Sequence, residues 1–397
     1  MKIVPKKFKV HSLTGRIMPD MMARAFKTVK KNRGAAGVDK VSIQMFENQL
    51  EQNLNALQNA LKTRSYQPIA LRRVYLPKEK GQWRPLGIPA VKCRVAQEVV
   101  RQLISPIFEP MFHDNSFGFR PGRNCHQAVE RVLQYARDGY KVIVDADIKG
   151  FFDNIEHPLI MKLLAAEIAD GNILTLVEKF LGAGVMENDV LKPTRKGTPQ
   201  GGVISPLLAN IVLNYLDWQL DANGFKFVRY ADDFLVMCKS MAQAEKALDL
   251  VKSILNDLRL QLNSRKTRVV RLCQGFEFLG FYISSRSVRM RNKSIENYKA
   301  KIRNATKRSH NLDAKVIVKL NRVIRGTVNY FNTSFSSVKT QFHYLDRLIR
   351  KRLRCMKYKR IRYSDNWRMK NKYLYRLGLL SGWELCNLSK NIKVTPP

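Results

Sequence analysis

The sequence predicts an α+β body followed by a basic, helix-rich region. Strand-like and helix-like segments alternate in the first part of the 397-residue chain, and such interleaving is typical of α+β architecture. The charge then changes: residues 286–397 hold 29 Lys and Arg against 5 Asp and Glu, a net charge of +24, whereas residues 1–285 carry +15. This change predicts a boundary between a mixed-charge body and a strongly basic appendage.

Hydrophobic periodicity gives the elements in order. Val41–Leu61 and Ala242–Leu260 have apolar residues at helical spacing. Segments rich in β-branched and aromatic residues, with turn residues nearby, predict strands at Ala70–Leu76, Lys141–Asp147, Phe225–Cys238 and Phe276–Ile283. In the basic region, helices with Lys and Arg on their outer faces are predicted at Ser294–Ser309, Lys315–Phe331 and Phe342–Tyr358.

Composition points to a polyanionic partner. The formal net charge is +39 and the sequence pI is about 10.2, which favours binding to closely spaced phosphates. A hydrophobic content of 45% excludes a disordered basic tail protein, because it can form a core. Nucleic acid is therefore the predicted partner.

Other classes are excluded at this stage. There is no run of about 18 apolar residues for a membrane span, and Met1–Gly15 lacks the apolar segment of a secretion signal, so we expect a soluble, intracellular protein with no membrane partner. The six cysteines form no Cys-x-x-Cys pair, which argues against zinc or thiol redox chemistry. They are predicted to be reduced core residues.

Two predicted strands end in acidic residues. Val142–Val144 leads into Asp145 and Asp147, and Asp232 and Asp233 interrupt two apolar runs as in a β-hairpin. An isolated Asp-Asp pair is usually a solvated turn. A second strand that ends in acids favours a functional site over a solvated turn. Three convergent carboxylates can hold two Mg²⁺ ions that bridge an attacking 3′-oxygen and a triphosphate.

These acidic segments resemble known motifs. Phe227–Asp233 resembles the Tyr-x-Asp-Asp hairpin of reverse transcriptases, and Asp147–Asp153 resembles their first catalytic palm motif. The resemblance implies that Asp147, Asp232 and Asp233 are the catalytic, metal-binding residues and that two Mg²⁺ ions are the cofactor. The expected activity is RNA-directed DNA polymerisation.

The same resemblance implies roles for residues near Asp147. Phe152 matches the steric gate against a ribonucleotide 2′-hydroxyl, although it could simply be a core aromatic beside Phe151. Ile148 is implied to contact the nucleotide. Asp145 matches no ligand position, and Asp153 is expected to be structural.

A glycine-rich segment, Gly197–Pro206, lies between the two acidic strands. Glycine allows close backbone approach and proline stiffens the chain, so the segment suits a surface beside a base pair; a plain loop is the alternative. Resemblance to the family's template and nucleotide motif implies nucleotide binding by Gln200 and template or primer binding by Gly201 and Gly202.

Two cations lie on a predicted hairpin. Lys78 precedes Arg84 by six residues around a Gly-centred turn, where both could neutralise a triphosphate. The spacing is similar to the fingers hairpin of the family, which implies nucleotide binding. Solvated hairpin charges are the alternative, because exposed Lys and Arg are common.

Two further motifs follow the second predicted helix. In related polymerases a Lys at the Lys266 position lies near the leaving pyrophosphate and can donate a proton; Arg265 could supply charge there but no proton. Phe278, Leu279 and Gly280 resemble the primer-grip turn, although the glycine could mark a bulge.

Several segments narrow the resemblance to the bacterial group II intron-encoded lineage. Gly34–Asp39 resembles the extra N-terminal motif of group II intron and non-LTR enzymes, and Arg84–Pro89 and Phe117–Arg123 resemble the group II intron-encoded lineage in particular, which implies that Arg120 contacts template or primer. This lineage implies the bacterial cytoplasm or nucleoid as the location of the protein. We expect a right-hand polymerase with an N-terminal extension and start of the fingers, fingers and palm, a helical thumb or maturase domain, and a small DNA-binding region. The predicted bounds are 1–70, 71–285, 286–360 and 361–397.

The basic region is implied to bind RNA through its phosphates. Arg350, Lys351, Arg352 and Arg354 are the predicted RNA-backbone contacts. Expected partners are an RNA template, an RNA or DNA primer, dNTPs, group II intron RNA and target DNA, bound by a monomer or weak dimer. No paired cysteines of a His-Asn-His nuclease occur late in the sequence, so we expect the endonuclease-lacking type.

Two alternatives remain open at this point. One is a nonenzymatic RNA-binding splicing factor built on a decayed polymerase, against which the presence of all three acids argues. The other is a reverse transcriptase domesticated for host defence or spacer acquisition, which shares the chemistry but not the intron.

Overall fold

The computed structural model describes residues 9–77, 81, 83–199 and 201–391, with the side chains of 389–391 excluded. These residues divide into two compact units, one extending to Val269 and the other beginning at Val270.

Helices of the first unit surround its sheets. They are α1 (Pro19–Lys31), α2 (Ile43–Glu47), α3 (Leu50–Lys62), α4 (Val91–Phe108), α5 (Cys125–Arg137), α6 (Phe151–Asn154), α7 (His157–Glu167), α8 (Gly171–Leu181), α9 (Ser205–Ala222) and α10 (Met241–Asp257). Local signals set several of their ends. Asn124 and Gln127 form a reciprocal capping box at the start of α5, and the Ser240 hydroxyl accepts from the Gln243 amide at the start of α10.

The strands form separate sheets. They are β1 (Leu71–Pro77), β2 (Trp83–Ile88), β3 (Val142–Asp147), β4 (Val185–Glu187), β5 (Val190–Lys192), β6 (Lys226–Tyr230), β7 (Asp233–Cys238) and β8 (Arg268–Arg271). One sheet has the order β2-β1-β4-β5 and the other the order β6-β7-β3-β8. In the second sheet β3 runs antiparallel to β7 and β7 antiparallel to β6.

The core of the first unit lies between the β6-β7-β3 strands and the helices. Val144, Phe227 and Val236 are completely buried, as are Leu213 of α9 and Val251 of α10. Because the central strands are apolar on both faces, they are held rigidly, and the residues at their ends are positioned with them.

The second unit is mainly helical. It contains β9 (Phe276–Phe278), β10 (Phe281–Ile283), β11 (Val288–Met290), α11 (Asn292–Ala305), α12 (Ala314–Phe331), α13 (Lys339–Tyr358), α14 (Asp365–Arg368), α15 (Asn371–Arg376) and α16 (Gly382–Asn391). The strands pair in the order β11-β10-β9. The Phe281 ring packs against Tyr330 and Phe331 of α12, with ring centroids 5.8 and 5.1 Å apart, which ties this sheet to the helices.

The structure confirms the other predicted strands and the basic helices, with small shifts at their ends, but the predicted strand Phe276–Ile283 is wrong as a single element, because it divides into β9 and β10 around Leu279 and Gly280. The predicted helix Val41–Leu61 is wrong as a single element, because it divides into α2 and α3 around Asn48 and Gln49. Along the chain, the division between the two units falls after Val269, within β8, and the β9–β11 sheet belongs to the second unit, where Phe281 contacts α12.

The structure also bears on the predictions for the cysteines and for membrane-spanning helices. Cys93, Cys238, Cys355 and Cys386 are buried free thiols, but Cys273 is exposed, so it is not a core residue. Among the described residues, no helix combines the length and apolar character needed to cross a lipid bilayer.

Candidate active site

Strand register brings the predicted acids to one end of a sheet. Asp147, the last residue of β3, lies directly opposite Asp233, the first residue of β7. Asp233 also pairs with Tyr230 of β6, which leaves Ala231 and Asp232 as the two-residue turn of the β6–β7 hairpin. Ala231 adopts a left-handed conformation with φ of 59°. The three carboxylates thus project from adjacent backbone positions.

Asp147 is surrounded by groups from the loop before β8. The Lys266 Nζ lies 3.0 and 3.1 Å from the two Asp147 carboxylate oxygens, and the Asn263 side-chain amide donates to one of them at 2.9 Å. The Asn263 backbone amide donates to the Asp147 carbonyl at 2.8 Å. The predicted catalytic lysine therefore contacts the first predicted metal ligand.

Asp232 lies in the same electrostatic environment. Burial raises its pKa above the usual aspartate value, and the negative charge of Asp147 raises it further. The backbone amide of Asp232 itself and the charges of Arg84 and Lys266 act in the opposite direction. Asp147, Lys266 and Arg84 therefore all act on the charge of Asp232.

The donor set matches a hard divalent cation. Carboxylate oxygens are the protein ligands that Mg²⁺ and similar ions prefer. Among the described residues, however, no three His, Cys, Asp or Glu side chains already converge as a metal cluster. Both Asp147 oxygens face the Lys266 ammonium group. The Lys266 side chain is 55% exposed and can move away when a stronger cation arrives.

A buried ion pair holds the hairpin turn. Arg229 of β6 is completely buried, and its guanidinium makes a bidentate contact with the buried carboxylate of Asp217 in α9. The same guanidinium donates to the Ala231 carbonyl at 2.9 Å and to the Asn210 side-chain oxygen at 2.9 Å. Arg229 therefore connects α9 to the residue that precedes Asp232.

A second segment packs against that turn. The Phe117 amide donates to the Arg229 carbonyl at 2.9 Å, and the Asn210 amide nitrogen donates to the Gly118 carbonyl at 2.8 Å. A β-carbon added to Gly118 would lie 2.3 Å from the Ala231 nitrogen. Only glycine fits at this point, so the family motif containing Phe117 and Gly118 has a packing role beside the site.

Arg120 faces inward. It is 8% exposed, and its guanidinium donates to the Glu109 carboxylate at 2.8 Å and to the His113 and Ser116 carbonyls at 2.7 and 2.8 Å. These contacts fix the loop that carries Phe117. The predicted template contact would require the guanidinium to leave several hydrogen bonds.

The glycine-rich segment packs closely against its neighbours. A β-carbon on Gly201, where φ is 112°, would lie 2.3 Å from the Gly87 carbonyl oxygen of β2. A β-carbon on Gly202 would lie 2.6 Å from the Ser205 hydroxyl. The Val203 amide donates to the Gln97 side-chain oxygen at 2.8 Å. The segment is therefore fixed between β2 and α4.

The residues predicted to bind nucleotide have different environments. Phe152 is half-buried and its ring meets Phe151 edge-on at 5.2 Å, whereas the Ile148 side chain is 3% exposed within the core. Arg84 is exposed on β2. Lys78 and Gln200 lie outside the described residues.

The predicted primer grip is a tight turn within the second unit. Phe278 pairs with Phe281, which leaves Leu279 and Gly280 at the bend with φ of 46° and 86°. The Tyr330 hydroxyl donates to the Leu279 carbonyl at 2.9 Å. Paired positive φ values identify a two-residue hairpin and not a bulge.

The predicted RNA-backbone residues on α13 divide into two groups. Lys351 is exposed, and Arg350 donates to the Tyr375 hydroxyl at 3.1 Å. Arg352 instead donates to the Thr306 carbonyl at 2.7 Å, and Arg354 is 8% exposed and donates to the Met369 carbonyl at 2.9 Å. The last two guanidiniums therefore stabilise the helical packing.

Sequence reasoning missed Arg229, Asp217 and Asn263. A signal for the first two was present, because a charged residue inside an apolar strand or helix requires a buried partner. Asn263 had only its nearness to Lys266 in sequence as a signal. Its contact with Asp147 joins residues 116 positions apart and depends on the fold.

The chain is similar to several characterised families and proteins. Residues 76–283 match the reverse transcriptase (RNA-dependent DNA polymerase) family, and residues 295–374 match the group II intron maturase-specific domain. Protein YkfC of Escherichia coli strain K12 is 34% identical over 304 residues, which cover 66% of this chain and 80% of YkfC.

More distant similarities extend over a larger share of the chain. Group II intron-encoded protein LtrA of Lactococcus lactis subsp. cremoris is 29% identical over 377 residues, covering 78% of this chain and 61% of LtrA. The chain thus spans about three fifths of that relative. A solved structure of telomerase from Candida albicans is a distant likeness, with 13% identity, a TM-score of 0.44 and coverage of 89% of this chain and 69% of that chain.

Two findings establish the family. The reverse transcriptase match covers just over half of the chain, and the aligned part of YkfC is more than 30% identical over most of that protein. They confirm the fold that the acidic motifs predicted. The chain therefore belongs to the reverse transcriptase family, and it carries a group II intron maturase-specific domain after the polymerase region.

Proposed function

We propose that this protein adds dNTPs to a primer 3′-hydroxyl on an RNA template, using Asp147, Asp232 and Asp233 to hold two Mg²⁺ ions. Reverse transcriptases use divalent metal ions. The observation that carries the proposal is the register that sets Asp147 opposite Asp233, one residue from Asp232 at the hairpin turn.

The charges around these acids suit phosphoryl transfer. When bound, the metal ions neutralise charge on the triphosphate and on the attacking and leaving oxygens. Asp147, Asp232 and Asp233 would supply the oxygens that hold them. Lys266 already contacts Asp147, and once it is displaced its ammonium group lies beside the reacting phosphates, where it can donate a proton to pyrophosphate.

Other residues shape the nucleotide site. Arg84 influences the pKa of Asp232, which supports its placement beside the triphosphate. Phe152 follows Asp147 by five residues on a short helix and can exclude a 2′-hydroxyl. Gly201 and Gly202, fixed against β2 and α4, offer a backbone surface for template or primer.

Two assignments are adjusted by the contacts. We propose that Arg120 supports the loop beside the hairpin turn and does not bind template, since its guanidinium is buried and hydrogen-bonded. Ile148 can reach a nucleotide only through its backbone, because its side chain is in the core. Phe278, Leu279 and Gly280 remain the proposed primer grip, with the Phe278 side chain buried beneath the turn.

The second unit supports a role with intron RNA. Residues 295–374 match the maturase-specific domain, and residues 286–397 carry a net charge of +24, which favours phosphate binding. We propose that this unit binds group II intron RNA to assist splicing, and that 361–397 contributes contacts to target DNA. The proposed domain bounds remain 1–70, 71–285, 286–360 and 361–397.

Primer extension on an RNA template with Mg²⁺ tests the polymerase proposal. Wild-type protein should extend the primer, and Asp232→Asn should lower the rate by at least about 100-fold, as when one preorganised charge-stabilising group is removed. The matched control is Asp249→Asn, an exposed acid on α10, which should leave extension unchanged. Template binding should survive both changes.

The outcomes separate the alternatives. RNA binding by wild-type protein without any extension would support the nonenzymatic splicing factor. Equal extension by Asp232→Asn and wild type would overturn the catalytic assignment. If the cognate intron RNA splices faster with the Asp232→Asn protein than without any protein, the maturase role is supported independently of polymerisation. An unchanged splicing rate would contradict that role.

A further inference from the structure

A large basic cavity lies within the second unit. Its volume is about 840 Å³, within the range of about 300–1,000 Å³ typical of ligand sites. One wall is the C-terminal half of α13, with Arg347, Arg350, Lys351 and Arg354, and the other is formed by residues 360–371. All of these elements belong to one unit, so the cavity is formed by a single packed body.

The charge of the lining favours phosphate. Seven Lys and Arg side chains line the cavity, against one acid, Asp365, which is paired with Arg360 at 3.1 Å. Packing so many cations around one space is unfavourable without counter-charge. Arg350 and Lys351 retain partial or full exposure and can meet an anion.

Two exposed aromatic side chains line the cavity beside the cations. Tyr363 and Trp367 line it and are 83% and 73% exposed. Exposing the apolar surface of large rings to water is unfavourable, and an unstacked base offers a flat partner on which these rings can stack. The bases of a duplex are already stacked and paired, so these rings match an unpaired nucleotide.

The wall also contains unmatched polar atoms. Arg360 Nε and Asp365 Oδ2 are buried and have no hydrogen-bond partner within the described part of the chain. Such groups are rare in proteins, because an unsatisfied buried donor or acceptor is costly. Both atoms belong to the Arg360–Asp365 pair and are closed off from solvent, so the cations and the two exposed rings are the groups of the lining that a nucleotide can contact.

We propose that this cavity binds an unpaired nucleotide of single-stranded RNA, with Trp367 or Tyr363 stacking on the base and Arg350 and Lys351 contacting its phosphates. The inference rests on the proposed RNA binding by the second unit. It adds a specific site and a preference for single strands, which a uniformly basic surface would not have.

Binding of the full-length chain to labelled RNA tests the inference. The probes are a fluorescein-labelled single strand of about 12 nucleotides, within the site size of such proteins, and a hairpin duplex, both without dNTPs. Trp367→Ala should weaken single-strand binding by about 5- to 100-fold and change duplex binding less than about twofold. Lys351→Gln should reduce the salt dependence of single-strand binding by about 0.7 in log–log slope.

Two further variants control for folding and for position. Trp367→Phe should bind nearly as tightly as wild type but lose the quenching of tryptophan fluorescence by RNA, which places the base at this ring. Trp383→Ala removes a 42% exposed ring that does not line the cavity and should leave both affinities unchanged.

Each contrary outcome is informative. If wild type binds neither probe, both this inference and the proposed RNA binding fail. If wild type binds but neither Trp367→Ala nor Tyr363→Ala selectively weakens binding of the single-strand probe, the inference alone is overturned. If Trp367→Phe retains full quenching, the base does not stack on residue 367, and Tyr363→Ala must then show the selective loss or the site is rejected.

Discussion

The Lys266 Nζ contacts both carboxylate oxygens of Asp147, at 3.0 and 3.1 Å. An ammonium ion thus lies where a divalent cation would bind the same carboxylate. The contact explains how adjacent acids are tolerated at the end of a buried sheet, since Lys266 and Arg84 offset the repulsion between Asp147 and Asp232.

The Asp232→Asn variant should be more stable than wild type at pH 7 when divalent cations are chelated. The pKa of Asp232 is raised in the folded protein by burial and by Asp147, so its ionised form opposes folding above that pKa. The gain in Tm should shrink as pH falls through the raised pKa, where wild-type Asp232 becomes neutral. Thermal unfolding at several pH values measures this difference in Tm, with Asp249→Asn as the control. An unchanged or lower Tm of Asp232→Asn at pH 7 would contradict this account.

The Lys266→Arg variant separates charge from proton donation. Arginine keeps a positive charge beside Asp147 but cannot give up a proton, so the extension rate should fall by about 100-fold. Arg265→Ala, at the neighbouring position, should change little. A fully active Lys266→Arg protein would leave the lysine an electrostatic role only.

Breaking the Arg229–Asp217 pair should destabilise the first unit. Removing one partner leaves the other charge buried and alone, which costs about 3–5 kcal/mol, so Asp217→Leu and Arg229→Met should each lower Tm. The double variant should recover stability, because apolar residues can replace a buried pair.

Activity should not recover with stability in that double variant. The hydrogen bond from Arg229 to the Ala231 carbonyl positions the turn that bears Asp232, and methionine cannot make it. We expect kcat for extension to stay reduced while the KM for dNTP changes less. Full recovery of kcat would show that the pair acts only on folding.

Gly201→Ala should disturb the nucleotide surface. The new methyl group would lie 2.3 Å from the Gly87 carbonyl oxygen, at a φ of 112° that alanine rarely adopts. A loss of about 1–3 kcal/mol in the free energy of unfolding and a slower extension rate are expected. Gly171→Ala is the matched control, because nothing lies within 4 Å of its new methyl group; equal behaviour of the two variants would contradict close packing at Gly201.

The sequence carried more information about strands and motifs than about tertiary contacts. The hairpin with Asp232 at its turn could be predicted because apolar strands and a two-residue turn are local features. The break at Asn48 between α2 and α3 could not, since the apolar pattern continues across it.

Long-range pairings account for what the sequence left open. Asn263 contacts Asp147 across 116 positions, and Arg352 bonds to Thr306 instead of facing solvent. Lysine and arginine are usually exposed, so a basic run on α13 gave no means of separating the inward Arg352 and Arg354 from the outward Lys351. Only packing distinguishes them.

Anomalous diffraction from crystals grown with Mn²⁺, a primer on an RNA template and a nonhydrolysable dNTP tests the central claim most directly. The account predicts two Mn²⁺ peaks within coordination distance of Asp147 and Asp232 oxygens, with Lys266 displaced from Asp147. A complex in which nucleotide is bound, Lys266 still holds Asp147 and no Mn²⁺ contacts these acids would contradict it.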